Sequence, residues 1–182
     1  IKASTQSHLN DINHQKIDFV YENAQARERA QVLFDYANKI NGIVVGTSSL
    51  SEQFVSNATF GGDHMSSYNV NGSIPKTLTK FLIKYYPATG KAREALDEVL
   101  ATKISPELLP LDKEGNIQQA SEEMVGPYEL HDFFMYYYLR SGFSQEKIQF
   151  LAEKSFKDKY TPDIINKWFN EGMRRFKAGQ FK

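Results

Sequence analysis

A helix-forming segment is followed directly by a short β-branched run, and this order constrains the fold more than any other feature of the chain. Between residues 23 and 40, small and apolar side chains recur every three or four positions, which places them on one helical face. They are Ala26, Ala30, Leu33, Ala37 and Ile40. Asn41 and Gly42 predict the helix end, and Ile43-Val44-Val45 predicts a strand buried on both faces and closed by Gly46. A helix, a strand, a loop and a helix in this order are typical of an α/β fold with a parallel sheet and flanking helices.

The rest of the chain is predicted to be mainly helical. Residues 16–22 alternate polar and apolar side chains and predict a short strand or extended segment. Ser73 and Pro75 predict the start of another helix, whereas residues 105–120, with two prolines and a DKEGN turn, predict a long loop. The apolar face of the helix after Pro75 comprises Leu78, Phe81, Leu82 and Tyr85. Further helices are predicted at 91–102, 127–141, 144–157 and 161–178, so the last third is helix-rich.

Composition excludes several classes of function. The length of 182 residues is typical of one domain. Equal numbers of basic and acidic residues, 22 of each, give no overall field that would attract nucleic acid or an acidic membrane. The absence of cysteine excludes disulfides, thiolate metal sites and a cysteine nucleophile. The apolar runs are too short for a membrane span and the first residues lack a signal pattern, so we expect a soluble, cytoplasmic protein.

The loop after the predicted strand is the first candidate binding site. Ligands of parallel α/β sheets lie beyond the carboxyl ends of the strands, where Thr47 offers a hydroxyl group and the next helix offers backbone N–H groups. An adenosine or phosphate group would suit this position. The alternative is structural, because Ser49 followed three residues later by Glu52 forms the pattern of a capping box, which needs no ligand.

Two further charged residues are candidates for binding. Asp63 follows a Gly61-Gly62 turn and suits a substrate hydroxyl, an ammonium group or hydrated Mg²⁺, although aspartates are common in solvated turns. Lys76 lies in the first turn of its predicted helix, where a cation is unfavourable unless an anion is nearby. The alternative for Lys76 is an exposed lysine without a ligand.

The histidines, the aromatic cluster and the basic end favour structural roles. The four histidines lie far apart in the sequence, and their spacing does not favour a zinc site. The aromatic residues at 133, 134 and 136–138 would be spread around a helix, which favours packing over base stacking. The basic residues Arg174, Arg175, Lys177 and Lys182 suit a solvated helix end.

Five segments, in order along nearly the whole chain, resemble NAD synthetase. They are YENAQARER at 21–29, VVGTSSLSE at 44–52, GGDHMSSYNVNGSIPKT at 61–77, ISPELLP at 104–110 and SEEMVGPYELHDFF at 121–134. The later part, through the RRFKAGQFK end, is most similar to the glutamine-dependent, two-domain bacterial form. The resemblance implies a ligase domain with a Rossmann-like fold of the adenine nucleotide α-hydrolase type.

The resemblance also implies a reaction. ATP would adenylate the nicotinate carboxylate of deamido-NAD, Mg²⁺ would help pyrophosphate to leave, and ammonia derived from glutamine would then displace AMP. Such chemistry relies on binding and charge stabilisation and requires no covalent protein nucleophile. The implied partners are these small molecules, a second copy of the protein in a homodimer, and a glutaminase domain in the parent chain.

The family's binding residues can be assigned to matching positions. The resemblance places Asn23, Arg27, Glu52, Asn57, Thr59, Phe60, Asp63 and Lys182 at deamido-NAD, with residues 57–60 on the nicotinate side. It places Thr47, Lys76 and Ser105 at ATP. Glu52 would face the reacting carboxylate or its Mg²⁺.

The sequence departs from the family in two ways. Ser56-Asn57-Ala58-Thr59 stands where the family usually has glycine and tryptophan before the threonine, so we expect nicotinate stacking to differ. The SGGxDS pyrophosphate loop does not occur in the sequence, and we expect it, the glutaminase domain and the tail after QFK to belong to a longer parent protein. This chain alone would then be inactive. The alternatives are a non-catalytic fragment or relative that retains only helical packing and oligomer formation, and a related ligase with another acceptor.

Overall fold

The computed structural model describes residues 2–102 and 121–182. These residues form two compact units. Unit 1 comprises residues 2–48 and 57–73, and unit 2 comprises residues 49–56, 74–102 and 121–182. The predicted loop at 105–120, and with it Ser105, lies outside the described residues. In the described ranges, no helix combines the length and apolar character that crossing a membrane requires.

Unit 1 contains two helices, α1 (Lys2–Asp11) and α2 (Phe19–Ile40). The prediction of an extended segment over residues 16–22 was wrong from Phe19 onwards. The Asp18 side chain accepts a hydrogen bond from the Val20 backbone N–H at 2.9 Å and caps the helix, so α2 begins at Phe19, about one turn before the predicted start at residue 23. Alternation over seven residues cannot reveal such a cap, because one turn of helix also mixes polar and apolar side chains.

The far end of α2 agrees with the prediction. Asn41 adopts a left-handed conformation with φ of 54°, and its backbone N–H bonds to the carbonyl groups of the last turn. The alanines of the predicted stripe are buried, but Leu33 and Ile40 are more than half exposed. The buried face of α2 is therefore narrow and made of small side chains.

A short parallel sheet completes unit 1. Strand β1 (Val45–Gly46) pairs in parallel with β2 (Tyr68–Asn69), which confirms the predicted strand direction and the α/β class. The strand is shorter than predicted and is not buried on both faces, since Val45 is 54% exposed. Within the described residues β1 has a single neighbouring strand. Gly46 is required for close approach, because a Cβ atom there would lie 2.5 Å from Ser66 Oγ.

In its described residues, the regular secondary structure of unit 2 consists of helices connected by short loops. Its helices are α3 (Leu50–Phe54), α4 (Lys76–Tyr85), α5 (Gly90–Ala101), α6 (Ser121–Val125), α7 (Tyr128–Met135), α8 (Gln145–Ser155) and α9 (Pro162–Ala178), and α7 continues as a π-helical segment (Tyr136–Arg140). The last third is helix-rich, as predicted. Ser144 and Thr161 cap α8 and α9 with their side chains, because each hydroxyl satisfies a backbone N–H of the first turn.

The core of unit 2 forms around α7 and α9. Phe134 is fully buried and packs edge to face on Phe169, with ring centroids 5.1 Å apart. Phe133, Tyr137 and Tyr138 pack against the same core, so the aromatic cluster serves packing, as expected. The predicted apolar face of α4 is not part of this buried core, since its four members are between 42% and 63% exposed.

His131 on α7 is a fully buried core residue. Its Nε2 lies 2.6 Å from the Val125 carbonyl oxygen, so this nitrogen donates, whereas Nδ1 has no hydrogen-bond partner among the described residues. Gly172 makes room for the ring, because a Cβ atom there would lie 2.7 Å from Nδ1. Burial lowers the pKa of His131, because a proton on Nδ1 would leave a buried charge without a partner.

This burial predicts an acid-sensitive stability. The folded protein binds the His131 proton more weakly than the unfolded chain, so the free energy of unfolding should fall as the pH drops below about 6.5. One such group contributes a slope of up to ~1.4 kcal/mol per pH unit. We expect urea unfolding between pH 7 and 5 to show this slope and His131→Gln, which keeps a donor toward Val125, to reduce it.

His8→Gln is the matched control, because His8 is exposed on α1. It should keep the slope of the unmodified chain. If His131→Gln keeps the same slope of unfolding free energy against pH, His131 is not the source of that slope.

Candidate functional site

Unit 1 brings three of the predicted deamido-NAD residues into one hydrogen-bonded group. The buried Thr59 hydroxyl donates to Asn23 Oδ1 at 2.8 Å. The Thr59 backbone N–H donates to Asp63 Oδ1 at 2.6 Å. These bonds join a helix to a turn 36 positions later in the sequence. Three residues that the sequence analysis assigned to the same ligand are therefore neighbours in the structure.

Small residues allow this turn to lie against α2. A Cβ atom on Gly62 would lie 3.1 Å from Ala26 Cβ and 3.2 Å from the Ala26 carbonyl carbon, so a larger residue would push the turn away. Arg27 lies on the next turn of α2 after Asn23, at the i+4 spacing that keeps both on one side of the helix. Its Nε donates to the Phe60 carbonyl oxygen at 3.1 Å.

His64 belongs to the same group and was missed as a site residue. Its Nδ1 lies 2.8 Å from the Thr59 carbonyl oxygen, and its ring stacks on Phe60 with centroids 6.0 Å apart and planes inclined by 30°. The sequence analysis considered His64 only as one of four histidines whose spacing does not favour a zinc site, and no local pattern signals a side chain that bonds back to its own turn. We call Asn23, Arg27, Thr59, Phe60, Asp63 and His64 the unit 1 group.

Thr47 and Asn57 also belong to unit 1, and Asn57 lies two residues before Thr59 in the sequence. Thr47 directly follows β1 at its carboxyl end and is exposed, which is the location predicted for an ATP contact. The sequence analysis also expected free backbone N–H groups at the start of the next helix. Ser49 and Glu52 form a complete capping box there, in which each side chain accepts a hydrogen bond from the backbone N–H of the other residue. The capping alternative is therefore present in the structure. The Ser49 backbone N–H and hydroxyl both donate to Glu52 Oε2 at 2.8 Å.

Unit 2 joins Glu52 to Lys76. Lys76 Nζ lies 2.8 Å from Glu52 Oε1, and both side chains are largely buried, at 23% and 19% exposure. Burial acts to raise the pKa of Glu52, but the hydrogen bonds and charge of Lys76, together with those from Ser49, outweigh it and the pKa is lowered. Glu52 is therefore ionised at neutral pH and compensates the cation in the first turn of α4.

Glu52 has no further acidic or histidine side chains gathered around it in the described part of the chain that would complete a protein-only metal site. Both of its carboxylate oxygens already accept hydrogen bonds. No group of three or more acidic or histidine side chains in the described part of the chain is arranged to hold a metal ion. The association of Glu52 with Mg²⁺ stays a prediction.

Asp132, another residue that the sequence did not single out, fixes the position of Lys76. The Thr77 backbone N–H and hydroxyl donate to Asp132 Oδ2 at 2.9 and 2.6 Å, and the Ser51 hydroxyl donates to Oδ1. Ser51 Oγ in turn accepts from the Lys76 backbone N–H at 2.7 Å. Pro75 supplies no side-chain cap to α4, so two residues distant in sequence cap its first two N–H groups.

A cavity of about 400 Å³ opens beside Lys76. Lysines 76, 80 and 159 line it with the carboxylates of Glu122 and Glu129. Glu129 is engaged with Lys159 and with the Tyr160 hydroxyl. The cavity thus presents a cationic side next to the start of α4.

Lys182 contacts a different part of unit 2. Its Nζ donates to the Ser56 carbonyl oxygen at 2.9 Å. In the same part of unit 2, the rings of Phe176 and Phe54 stack with their centroids 5.0 Å apart. Gly179 is required there, because a Cβ atom would lie 1.9 Å from Ser56 Oγ. Ser56 itself has a left-handed φ of 54°. The structure brings Glu52 and Lys76 together and places Lys182 on the turn that follows α3.

Comparison with known proteins gives a consistent result. A family model described as NAD synthase matches residues 1–175. The glutamine-dependent NAD(+) synthetase of Mycobacterium tuberculosis (strain ATCC 25618 / H37Rv) is 43% identical over 159 residues, which are 85% of this chain and 23% of that protein. The enzyme of the same description from Mycobacterium leprae (strain TN) is 43% identical over 146 residues, which are 78% of this chain and 21% of that protein. The chain thus spans about a quarter of the length of these relatives.

A solved structure shows the same fold. The glutamine-dependent NAD(+) synthetase from Cytophaga hutchinsonii superposes with a TM-score of 0.68 at 17% identity, over 99% of this chain and 27% of that one. This likeness confirms the expected Rossmann-like α/β fold, with its parallel sheet and helix-rich last third. At this identity the superposition concerns fold alone.

The Asp132 network predicts a large loss of stability on truncation. Asp132→Ala should lower the free energy of unfolding by ~2–4 kcal/mol, because it leaves the donors of Ser51 and Thr77 buried without an acceptor. Urea unfolding at pH 7 measures this change.

Asp97→Ala is the matched control, since the Asp97 side chain is 63% exposed and forms a single ion pair, with Arg93 on α5. It should cost less than ~1 kcal/mol. Equal losses for the two variants would show that the Asp132 network does not stabilise unit 2.

Proposed function

The chain belongs to the NAD synthase family, and from this premise we propose that the complete protein amidates deamido-NAD to NAD⁺. In the proposed reaction the nicotinate carboxylate attacks the α-phosphorus of ATP and pyrophosphate leaves. Ammonia, derived from glutamine, then attacks the acyl carbon of the adenylate, and AMP leaves with the C–O bond electrons while the new amide loses a proton. Mass and charge balance without a protein nucleophile.

The unit 1 group is the observation that carries the proposal. Its side chains offer an amide and a guanidinium group from α2 and a carboxylate and an aromatic ring from the turn that is hydrogen-bonded to them. These are the donors and surfaces that a dinucleotide requires for its hydroxyl groups, phosphates and rings. We propose that this group, with Asn57 beside it in sequence, binds deamido-NAD.

Lys76 is proposed to bind ATP phosphates. Its side chain reaches the cavity beside α4, and its backbone position is set by Ser51 and Asp132. A phosphate that approaches Lys76 would share the ammonium group with Glu52, which already holds it in place. We propose the same ligand for Thr47 and for Ser105, and we retain Lys182 as a proposed contact of deamido-NAD.

Further components of the proposal rest on the family resemblance of the sequence. We propose that a glutaminase domain in the complete protein supplies ammonia and that two copies associate. Mg²⁺ stays part of the proposal, with Glu52 as its proposed contact, and no step is written through it.

Lys76→Ala tests the ATP assignment in the complete protein. We expect kcat/KM for ATP to fall about ten- to hundredfold, the size of a charged hydrogen bond lost to a phosphate. The KM for deamido-NAD should stay within about twofold. Steady-state NAD⁺ formation with each substrate varied in turn measures both constants.

Lys84→Ala is the control, because Lys84 lies two turns further along α4 and outside the cavity. It should leave both constants unchanged, and far-UV circular dichroism should show that both variants fold. An unchanged KM and kcat for ATP in Lys76→Ala would overturn the role of Lys76.

The 182-residue chain by itself gives a second test. We expect it to bind deamido-NAD in calorimetric titration but to form no NAD⁺ from ATP and ammonia, because the sequence contains no SGGxDS segment. Turnover by this chain would contradict the proposed need for that loop. No heat with deamido-NAD at millimolar concentration would contradict the proposed site.

One observation favours the alternative function of packing without ligand binding. Leu78, Phe81, Leu82 and Tyr85 form an exposed apolar face on α4, and a second copy of the chain would bury it. Sedimentation that shows a stable dimer, together with no response to deamido-NAD or ATP, would support this alternative over the enzyme.

A further inference from the structure

The cavity beside Lys76 has cations from two separate segments of unit 2. Helix α4 contributes Lys76 and Lys80, and the connection between α8 and α9 contributes Lys159. Lys80 follows Lys76 by four residues, so both project from the same side of α4, with their Cβ atoms about 6 Å apart. The cavity volume of about 400 Å³ lies within the range of pockets that bind small molecules.

The two carboxylates that line this cavity are already engaged. Glu129 pairs with Lys159 and accepts a hydrogen bond from the Tyr160 hydroxyl. Burial acts to raise the pKa of Glu129, but these hydrogen bonds outweigh it and the pKa is lowered. Glu122 accepts a hydrogen bond from the Tyr128 backbone N–H at 3.0 Å, at the start of α7. Neither carboxylate therefore depends on a ligand in the cavity.

Lys80 is the cation of this cavity that has no carboxylate partner among the described residues. Lys76 pairs with Glu52 and Lys159 with Glu129, whereas Lys80 forms no ion pair or side-chain hydrogen bond there. Its charge reaches Glu129 only at longer range, where it contributes to the lowered pKa of that carboxyl group. A lysine ammonium group has three N–H donors, so an anion can bind between the three lysines without breaking either pair.

A second cavity of unit 2 shows a different arrangement of charge. It has a volume of about 520 Å³ and is lined by residues of α6 and α9, among them Lys167 and Arg174. Arg174 donates two hydrogen bonds to Glu171, at 2.8 and 2.7 Å, and Lys167 lies over the Trp168 ring at 4.5 Å from its centroid. The cations of that cavity are thus engaged by side chains of their own helix, unlike Lys80.

We propose that Lys80 and Lys159 bind the terminal phosphate groups of ATP and the pyrophosphate formed from them. This inference rests on the proposed function, in which Lys76 binds ATP phosphates, and it extends that site along α4 and onto the connection between α8 and α9. The ligand is an oligophosphate, because cations from two segments match negative charge that is spread over two phosphate groups. At Lys80 such an anion does not compete with a paired protein carboxylate.

Lys80→Gln in the complete protein tests the role of Lys80. Loss of the charge should raise the inhibition constant of pyrophosphate about tenfold, measured against ATP in steady-state NAD⁺ formation. The inhibition constant of AMP should stay within about twofold, because AMP carries only the α-phosphate. Lys80→Arg keeps a cation and should retain the affinity for pyrophosphate.

Lys159→Gln tests the contact from the second segment. The Lys159 side chain is 60% exposed, so water screens its interaction with a phosphate, and we expect a smaller rise of about threefold in the pyrophosphate inhibition constant. Lys159→Arg should retain the original value. A role confined to the ion pair with Glu129 would lower the melting temperature without distinguishing pyrophosphate from AMP.

Lys84→Gln is the matched control, because Lys84 lies on α4 one turn beyond Lys80 and outside the cavity. Both inhibition constants should be unchanged in this variant. If Lys84→Gln weakens pyrophosphate as much as Lys80→Gln does, the effect comes from the general charge of α4 and the proposed contact is overturned.

The outcomes separate the two levels of the proposal. If the unmodified complete protein forms no NAD⁺ from deamido-NAD and ATP, the proposed function fails and this inference with it. If it forms NAD⁺ and pyrophosphate inhibits Lys80→Gln as strongly as the unmodified protein, or pyrophosphate and AMP weaken to the same extent, this inference alone is overturned.

Discussion

The carboxylate of Asp132 is the interaction on which unit 2 depends. Asp132 is only 7% exposed, and its side chain accepts hydrogen bonds from α3 and from the first turn of α4. Buried carboxyl oxygens are stable only when they accept hydrogen bonds. Because α4 starts after a proline without a side-chain cap, the same bonds that satisfy Asp132 also define where α4 begins.

This arrangement links stability to the candidate site. Lys76 is the first residue of α4, and its ammonium group pairs with Glu52, which itself caps α3 together with Ser49. The start of each helix is therefore fixed by polar groups that also hold the charged pair. The unit 1 group is organised in a similar way. Asp63 and His64 bond to backbone groups of their own turn, and Arg27 on α2 bonds to the Phe60 carbonyl group. Such bonds organise a site before any ligand arrives.

Local rules predicted those features that depend on neighbouring residues in sequence. The helix end at Asn41, the capping box of Ser49 and Glu52, and the cap of α9 at Thr161 each involve groups within a few positions. The failures have two causes. The extended segment before α2 was wrong because alternation over seven residues does not distinguish a strand from the first turn of a helix capped by Asp18. The doubly buried strand required knowledge of what packs against it, which three residues do not contain.

The sequence by itself determined the helical last third, the parallel α/β order, and the family to which the ordered segments belong. It also named most members of the unit 1 group, through their resemblance to that family. Only the tertiary structure decided that Asp132 caps a helix 55 residues away, that His64 backs Phe60, and that Lys182 meets Ser56. Hydrogen bonds between distant segments depend on how the chain packs, and single buried polar residues carry no pattern that announces their partners.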